Sequence, residues 1–159
     1  AGPVTDVLLA TAYEFGEGEV EAWLVGPAVD LDVPGFDYVQ LNVYRRHPRH
    51  GESGGRQWQV TPVWAWTVPL GRSDLLVDGF IDWVVDNAAT RHAHLHFNPQ
   101  IKYDLGKAMG WGSKILYVGI EYDYWKNKYG IDDDGLLGKQ LPGGIDQNTA
   151  SLLLKAHLP

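Results

Sequence analysis

The chain has 159 residues, no cysteine, a formal charge of −7 and 45% hydrophobic residues. That length sets one compact domain, residues 1–159, as the expectation, and the absence of thiols excludes disulfides and cysteine-ligated metals. Net acidity without a basic patch argues against a nucleic-acid binder, and no apolar run is long enough for a transmembrane helix.

Alternation of apolar and polar residues divides the chain into about eight extended segments separated by turn signals. The first, VTDVLLATAYEF (4–15), puts Val7, Leu9, Thr11, Tyr13 and Phe15 on one face. VEAWLVGPAVDLDV (20–33) is the least regular, and a Pro-Gly turn follows it. In YVQLNVY (38–44), Val39, Leu41 and Val43 oppose Tyr38, Gln40, Asn42 and Tyr44. A charged loop is predicted over 45–56, before QWQVTPVWAWTV (57–68), where Trp58, Val60, Trp64 and Trp66 share a face and Gln59 takes the other.

DLLVDGFIDWVVD (74–86) sets Asp74, Asp78, Asp82 and Asp86 against Leu75, Val77, Ile81 and Trp83. RHAHLHFNPQIKYDLG (91–106) carries the longest alternation, with His92, His94, His96, Asn98, Gln100, Lys102 and Asp104 against Leu95, Phe97, Ile101, Tyr103 and Leu105. ILYVGIEYDYWKNKY (115–129) opposes Glu121 and Asp123 to Leu116, Val118, Ile120, Tyr122 and Tyr124. NTASLLLKAHLP (148–159) opposes Ser151, Lys155 and His157 to Leu152 and Leu154. Helical spacing is sustained nowhere.

One face of each segment is rich in Trp and Tyr and almost free of charge, while the other carries mixed charges and amides. A soluble barrel turns its apolar face inward, and a membrane barrel turns it outward. Segments of roughly 11 residues suit a tilted strand crossing a bilayer. Connections also tend to be longer at one end than the other, although the first is short. The expected fold is therefore all-β, an antiparallel up-and-down transmembrane β-barrel of about eight strands. Trp64, Trp66, Trp83 and Trp125 are expected in an aromatic girdle at the bilayer interfaces.

The histidine row raises the question of zinc. Alternate residues on one strand face stand about 6.5–7 Å apart, so a site needs a further ligand from a neighbouring strand, such as Asp82, Asp86, Glu121 or Asp123. Without such convergence the row is one wall of a wet interior, which is the reading adopted. The acidic row is expected to pair with Lys102, Lys155 or arginines, because stacked carboxylates raise one another's pKa. Glu121 and Asp123 lie two apart on one strand, poorly placed to flank a scissile bond. Asp132, Asp133 and Asp134 lack the later glutamate of a calcium loop. No catalytic residue, metal or cofactor is assigned, and the protein is not expected to be an enzyme.

The stretches HFNPQIKYDLG, LYVGIEYDYWKNKYGI, DQNTASLLLKAH, GFIDWVVDN, TPVWAWTVPLG and VPGFDYVQLNVY together resemble the Tsx/OmpK family of outer-membrane nucleoside-specific channel proteins. The resemblance runs from about residue 5 to the C-terminus, and it rests on strand and turn signatures rather than a catalytic motif. It implies a porin-like transmembrane barrel in the Gram-negative outer membrane that passes nucleosides. It also implies that the chain matches the C-terminal two-thirds of such a barrel, with Leu158-Pro159 where an aromatic terminus is usual.

The expected lumen lining is Gln40, Asn42, Gln59, Asp78, Asp82, His94, His96, Asn98, Gln100, Lys102, Glu121, Asp123 and Lys155. The expected partners are membrane lipid and small polar solutes such as nucleosides, with self-association left open and nucleic acid excluded. A structural barrel with a filled lumen and a soluble ligand-binding barrel are the alternative readings.

Overall fold

The computed structural model describes residues 2–16, 20–49, 56–85, 92–130 and 145–157. Among these residues eight strands form one antiparallel sheet: β1 (Val4–Gly16), β2 (Val20–Leu31), β3 (Tyr38–Pro48), β4 (Gln57–Leu70), β5 (Ser73–Val84), β6 (His94–Asp104), β7 (Leu116–Lys126) and β8 (Gln147–Ala156). Each strand is hydrogen-bonded to its chain neighbours, in the order β1 to β8. The all-β, up-and-down architecture predicted from alternation is the one the chain adopts. Asp86 and Asp132 to Asp134 lie outside the described residues.

Two boundaries depart from the sequence reading. β3 continues to Pro48, through the charge run that predicts a loop. Successive residues of that run face opposite ways, so Arg46 reaches Glu14 and Gln59 on one side while Arg45 lies over the Trp58 ring on the other. Conversely, β6 stops at Asp104 although the alternation continues to Leu105. The Asp104 carboxylate accepts N–H bonds from Lys107 (2.9 Å) and Lys114 (2.7 Å), capping a one-turn helix α1 (Leu105–Ala108). An aspartate free to accept backbone N–H bonds starts a helix here in place of a longer strand.

The sheet is also open. β1 pairs with β2 and β8 with β7, but β1 and β8 do not pair with each other. Eight strands thus make a curled wall, consistent with part of a barrel, and the question of closure that the sequence leaves open is answered for these strands by an open sheet. Closure depends on strand tilt and register stagger summed round the whole sheet, and local alternation carries no record of either.

The register sorts the two faces. Directly opposed residues on antiparallel strands share a face, and one row runs Trp66, Val77, Ile101, Ile120, Leu152 from β4 to β8. Val77 is half-buried and the other four are exposed, from 43% for Trp66 to 92% for Leu152. The row on the opposite face runs Tyr38, Ala65, Asp78, Gln100, Glu121, Ser151. On this second face Asn42, Arg46, Gln57, Gln59 and Lys102 are buried, Lys102 to 1% exposure. No second layer covers them among the described residues, so the sheet buries them by curling round them. The polar face is the inner one.

Gly26 in β2 and Gly119 in β7 permit that curl. A Cβ on Gly26 would stand 1.8 Å from the Val43 carbonyl oxygen, and one on Gly119 would stand 2.0 Å from that of Ile101. Neighbouring backbone fills the space a side chain would need, as at the tight bends of curved sheets. Gly119→Ala should therefore destabilise the fold by at least the 1–3 kcal/mol typical of overpacking. Denaturant unfolding of the reconstituted chain measures this, and wild-type stability would show that the bend does not need glycine.

Candidate functional site: the inner polar face

All thirteen residues expected to line a lumen lie on the inner face. Gln40 stands opposite Asp30 and Val63, Asn42 opposite Thr61, and Gln59 opposite Tyr44 and Val84. Asp78, Gln100 and Glu121 share one row, Phe80 and Asn98 the next, and Asp82 and His96 the one after. His94 is opposite Val84, Lys102 opposite Leu76, Asp123 opposite Thr149 and Lys155 opposite Tyr117. The common placement follows from side-chain parity along each strand, carried across strands by a matched register.

These residues are bound into networks that span several strands. Arg46 on β3 pairs with Glu14 on β1 and donates to Gln59 Oε1 on β4 at 2.6 Å. Gln59 Nε2 and Thr61 Oγ1 both donate to Asp82 Oδ1 on β5, at 2.9 and 2.6 Å. One connected set therefore joins four strands. A second set joins β6, β7 and β8: His96 Nε2 lies 2.8 Å from Asp123 Oδ1, and Gln147 Nε2 donates to Asp123 Oδ2 at 2.8 Å. Lys128 Nζ extends it by donating to Gln147 Oε1 at 2.7 Å.

Between them, Lys102 Nζ sits 2.6 Å from Asp78 Oδ1 and donates to Gln100 Oε1 at 2.8 Å, while Gln100 Nε2 donates to Glu121. The acidic row is thus resolved member by member. Asp78 pairs with Lys102 as expected, and Asp74 pairs with Lys107. Asp82 instead accepts from an amide and a hydroxyl. His96 and Asp123 come together as an ion pair or hydrogen bond, and no cluster of three or more metal-ligating side chains forms among the described residues.

Trp125 departs from the girdle expected of it. Its register partners are His96 and Gln147, so it faces inward, 4.3 Å from the His96 ring, while Phe80 meets His96 edge-on at 5.1 Å. Trp125 shares parity with Glu121 and Asp123, and that signal was present in the sequence. Trp64, Trp66 and Trp83 do lie on the outer face. The sequence reading also passes over Glu14, Asp30 and Arg46. Arg46 lies beyond the segment read as strand, although it continues the parity of Gln40 and Asn42.

Among the described residues, this face opens into cavities of which two are large enough for a small solute. One of about 320 Å³ is lined in part by Tyr38, Asp78, Phe80, Asn98 and Gln100. The other, of about 400 Å³, lies toward the α1 end and includes Asp78, Lys102, Lys114, Tyr117, Lys155 and His157 in its lining. Each offers carboxylate, amide or ammonium groups beside an aromatic ring, on the scale of a small-molecule site of roughly 300–1,000 Å³. Such a surface can hydrogen-bond and stack a flat polar solute.

Lys102→Met should leave Asp78 facing the curled interior without its cation, costing about 3–5 kcal/mol. Adding Asp78→Asn should recover most of that loss. Denaturant unfolding of both variants checks this, and a double variant no more stable than Lys102→Met would show that the ion pair is not the cause.

No curated protein and no solved structure matches the chain. Residues 1–152 do match a family described as nucleoside-specific channel-forming protein, Tsx. With that match spanning nearly all of a sheet whose inner face is polar and outer face apolar, the chain belongs to the Tsx family of nucleoside-specific channel-forming proteins.

Proposed function

We propose that the chain forms the wall of a β-barrel in the outer membrane of a Gram-negative bacterium, and that its inner face lines a passage for nucleosides. The observation that carries this reading is the inverted polarity of the single curled sheet, seen in a member of this family. Lys102 and Gln59 are buried on the inside while Ile120 and Leu152 are exposed on the outside. Water alone gives a fold no reason for that arrangement. A hydrocarbon exterior and a hydrated interior do.

A nucleoside is uncharged, with one flat base and several hydroxyls. Tyr38 and Phe80 present rings to the base, while Asn98, Gln100 and Asp78 offer the amide and carboxylate groups that hydroxyls and exocyclic amines recognise. Passage is passive: no bond is made or broken, and the reading includes neither enzyme chemistry nor a cofactor. Free N–H and C=O groups along β1 and β8 are too costly in hydrocarbon to leave unpaired. In the membrane both edges are therefore hydrogen-bonded, and the pore diameter reports how many strands close the ring.

The full chain reconstituted in a planar bilayer should give discrete conductance steps that adenosine reduces. Combining Asn98→Ala with Gln100→Ala should weaken the adenosine block about five- to tenfold, the effect of two lost hydrogen bonds. A block that survives the double change would remove these residues from the path. The paired charges of Arg46 and Lys102 favour a second reading, a filled structural wall. Membrane insertion with heat-dependent gel mobility but no conductance would select it. Under either reading, Ile101→Arg on the outer face should cost about 2–4 kcal/mol of folding stability in lipid. A neutral effect in vesicle refolding titrations would argue against lipid contact.

A further inference from the structure

Among the described residues, charged side chains are nearly absent from the outer face, and those present gather at one end. Among the described strand residues, those whose parity faces outward include four titratable charges: Glu21, Arg45, His47 and Lys126. All four stand at the end where β1 runs into β2, β3 into β4 and β7 into β8. Three of these occur together, because His47 is paired with Trp23 and Arg45 with both Val25 and Trp58, with Glu21 two residues before Trp23. Arg49 continues the parity of Arg45 and His47, and its backbone N–H donates to the Glu21 carbonyl at 2.9 Å.

Glu21 Oε2 accepts from the Tyr13 hydroxyl at 2.7 Å, and Arg49 lies against the same hydroxyl, so the single carboxylate faces three cationic or titratable side chains. Arg45 is held in place over the Trp58 ring at 4.9 Å. A guanidinium stacked on an indole keeps its N–H edges free for an oxyanion. Side chains two apart on a strand face stand about 6.5–7 Å from each other, close enough for neighbours to grip one phosphate group. Directly beside this cluster begins the apolar surface, with Trp23 at 47%, Trp58 at 49% and Leu41 at 37% exposure.

We infer that Arg45, His47 and Arg49, framed by Trp23 and Trp58, bind the phosphate of a lipid headgroup whose chains lie along the adjoining apolar face. A lipid is specified, rather than a free anion, because the cationic cluster and the apolar surface are continuous and an inorganic ion would use only the first. The inference rests on the proposed lipid contact of the outer face.

The test uses the full chain with vesicles of phosphatidylcholine alone or of phosphatidylcholine containing lipid A, a phosphorylated glycolipid. Lipid A should be retained preferentially, and combined Arg45→Gln and Arg49→Gln should weaken that preference about fivefold for each arginine removed. Lys126→Gln, across the sheet at the same end, should leave it within twofold. Equal association with both vesicle types, or an unchanged preference in the double variant, overturns the inference while leaving membrane insertion intact. Full displacement of lipid A by millimolar inorganic phosphate would overturn the choice of a lipid. Failure to associate with either vesicle overturns the lipid-facing reading itself, and this inference with it.

Discussion

A single sheet with nothing laid across it among the described residues must hide one face by curling, and the groups hidden here are polar. That constraint governs the rest of the structure. Burying Lys102 or Arg46 without a partner would cost several kcal/mol, so each must meet a carboxylate or an amide from another strand. The partners come from the adjacent strand for Lys102 (Asp78) and His96 (Asp123), and from two strands away for Arg46 (Glu14). These contacts exist only if every intervening register is correct. A slip of one residue on any strand would send its polar set outward.

The same networks shape what the inner face can do. Groups already bonded to each other are held in place, so the inner face is an ordered surface rather than a set of mobile side chains. The cavities lie where the networks leave room, one bounded by Tyr38, Phe80 and Asn98 and the other by Tyr117, Lys114 and Lys155. Rings next to amides and carboxylates suit stacking with hydrogen bonding, the two interactions a nucleoside offers. The outer face follows the opposite rule, apolar throughout its middle rows, where Trp64 and Phe97 stand among aliphatic side chains, with Trp23, Trp58 and Trp83 toward one end and Trp66 beside Phe36 toward the other. Aromatic side chains with a polar edge suit the boundary between hydrocarbon and water.

Much of this was legible in the residues. Period-two alternation located all eight strands, because a side chain in extended backbone can only point to one face or the other. Parity alone assigned thirteen inner residues to a common face, from Gln40 to Lys155. It failed where a second principle took over. Asp104 accepts backbone N–H bonds and starts a turn, so the strand ends early. Arg45 and Arg46 look like a loop because both are charged, yet one stacks outward and the other pairs inward. Trp125 has the residue type of an interfacial girdle but the parity of the inner face.

By itself, then, the sequence determined the strand count, the neighbour-to-neighbour order and the two chemically opposite faces, since all three depend on residues close in the chain. The tertiary structure decided which face is inside, which charges meet, and that β1 and β8 stand apart. Curl and ion pairing depend on registers accumulated over the sheet and on close approaches such as that of Gly119 to the Ile101 carbonyl. Alternation is blind to distance across strands, and so cannot say whether a row of charged residues is dispersed in water or bound together in an interior.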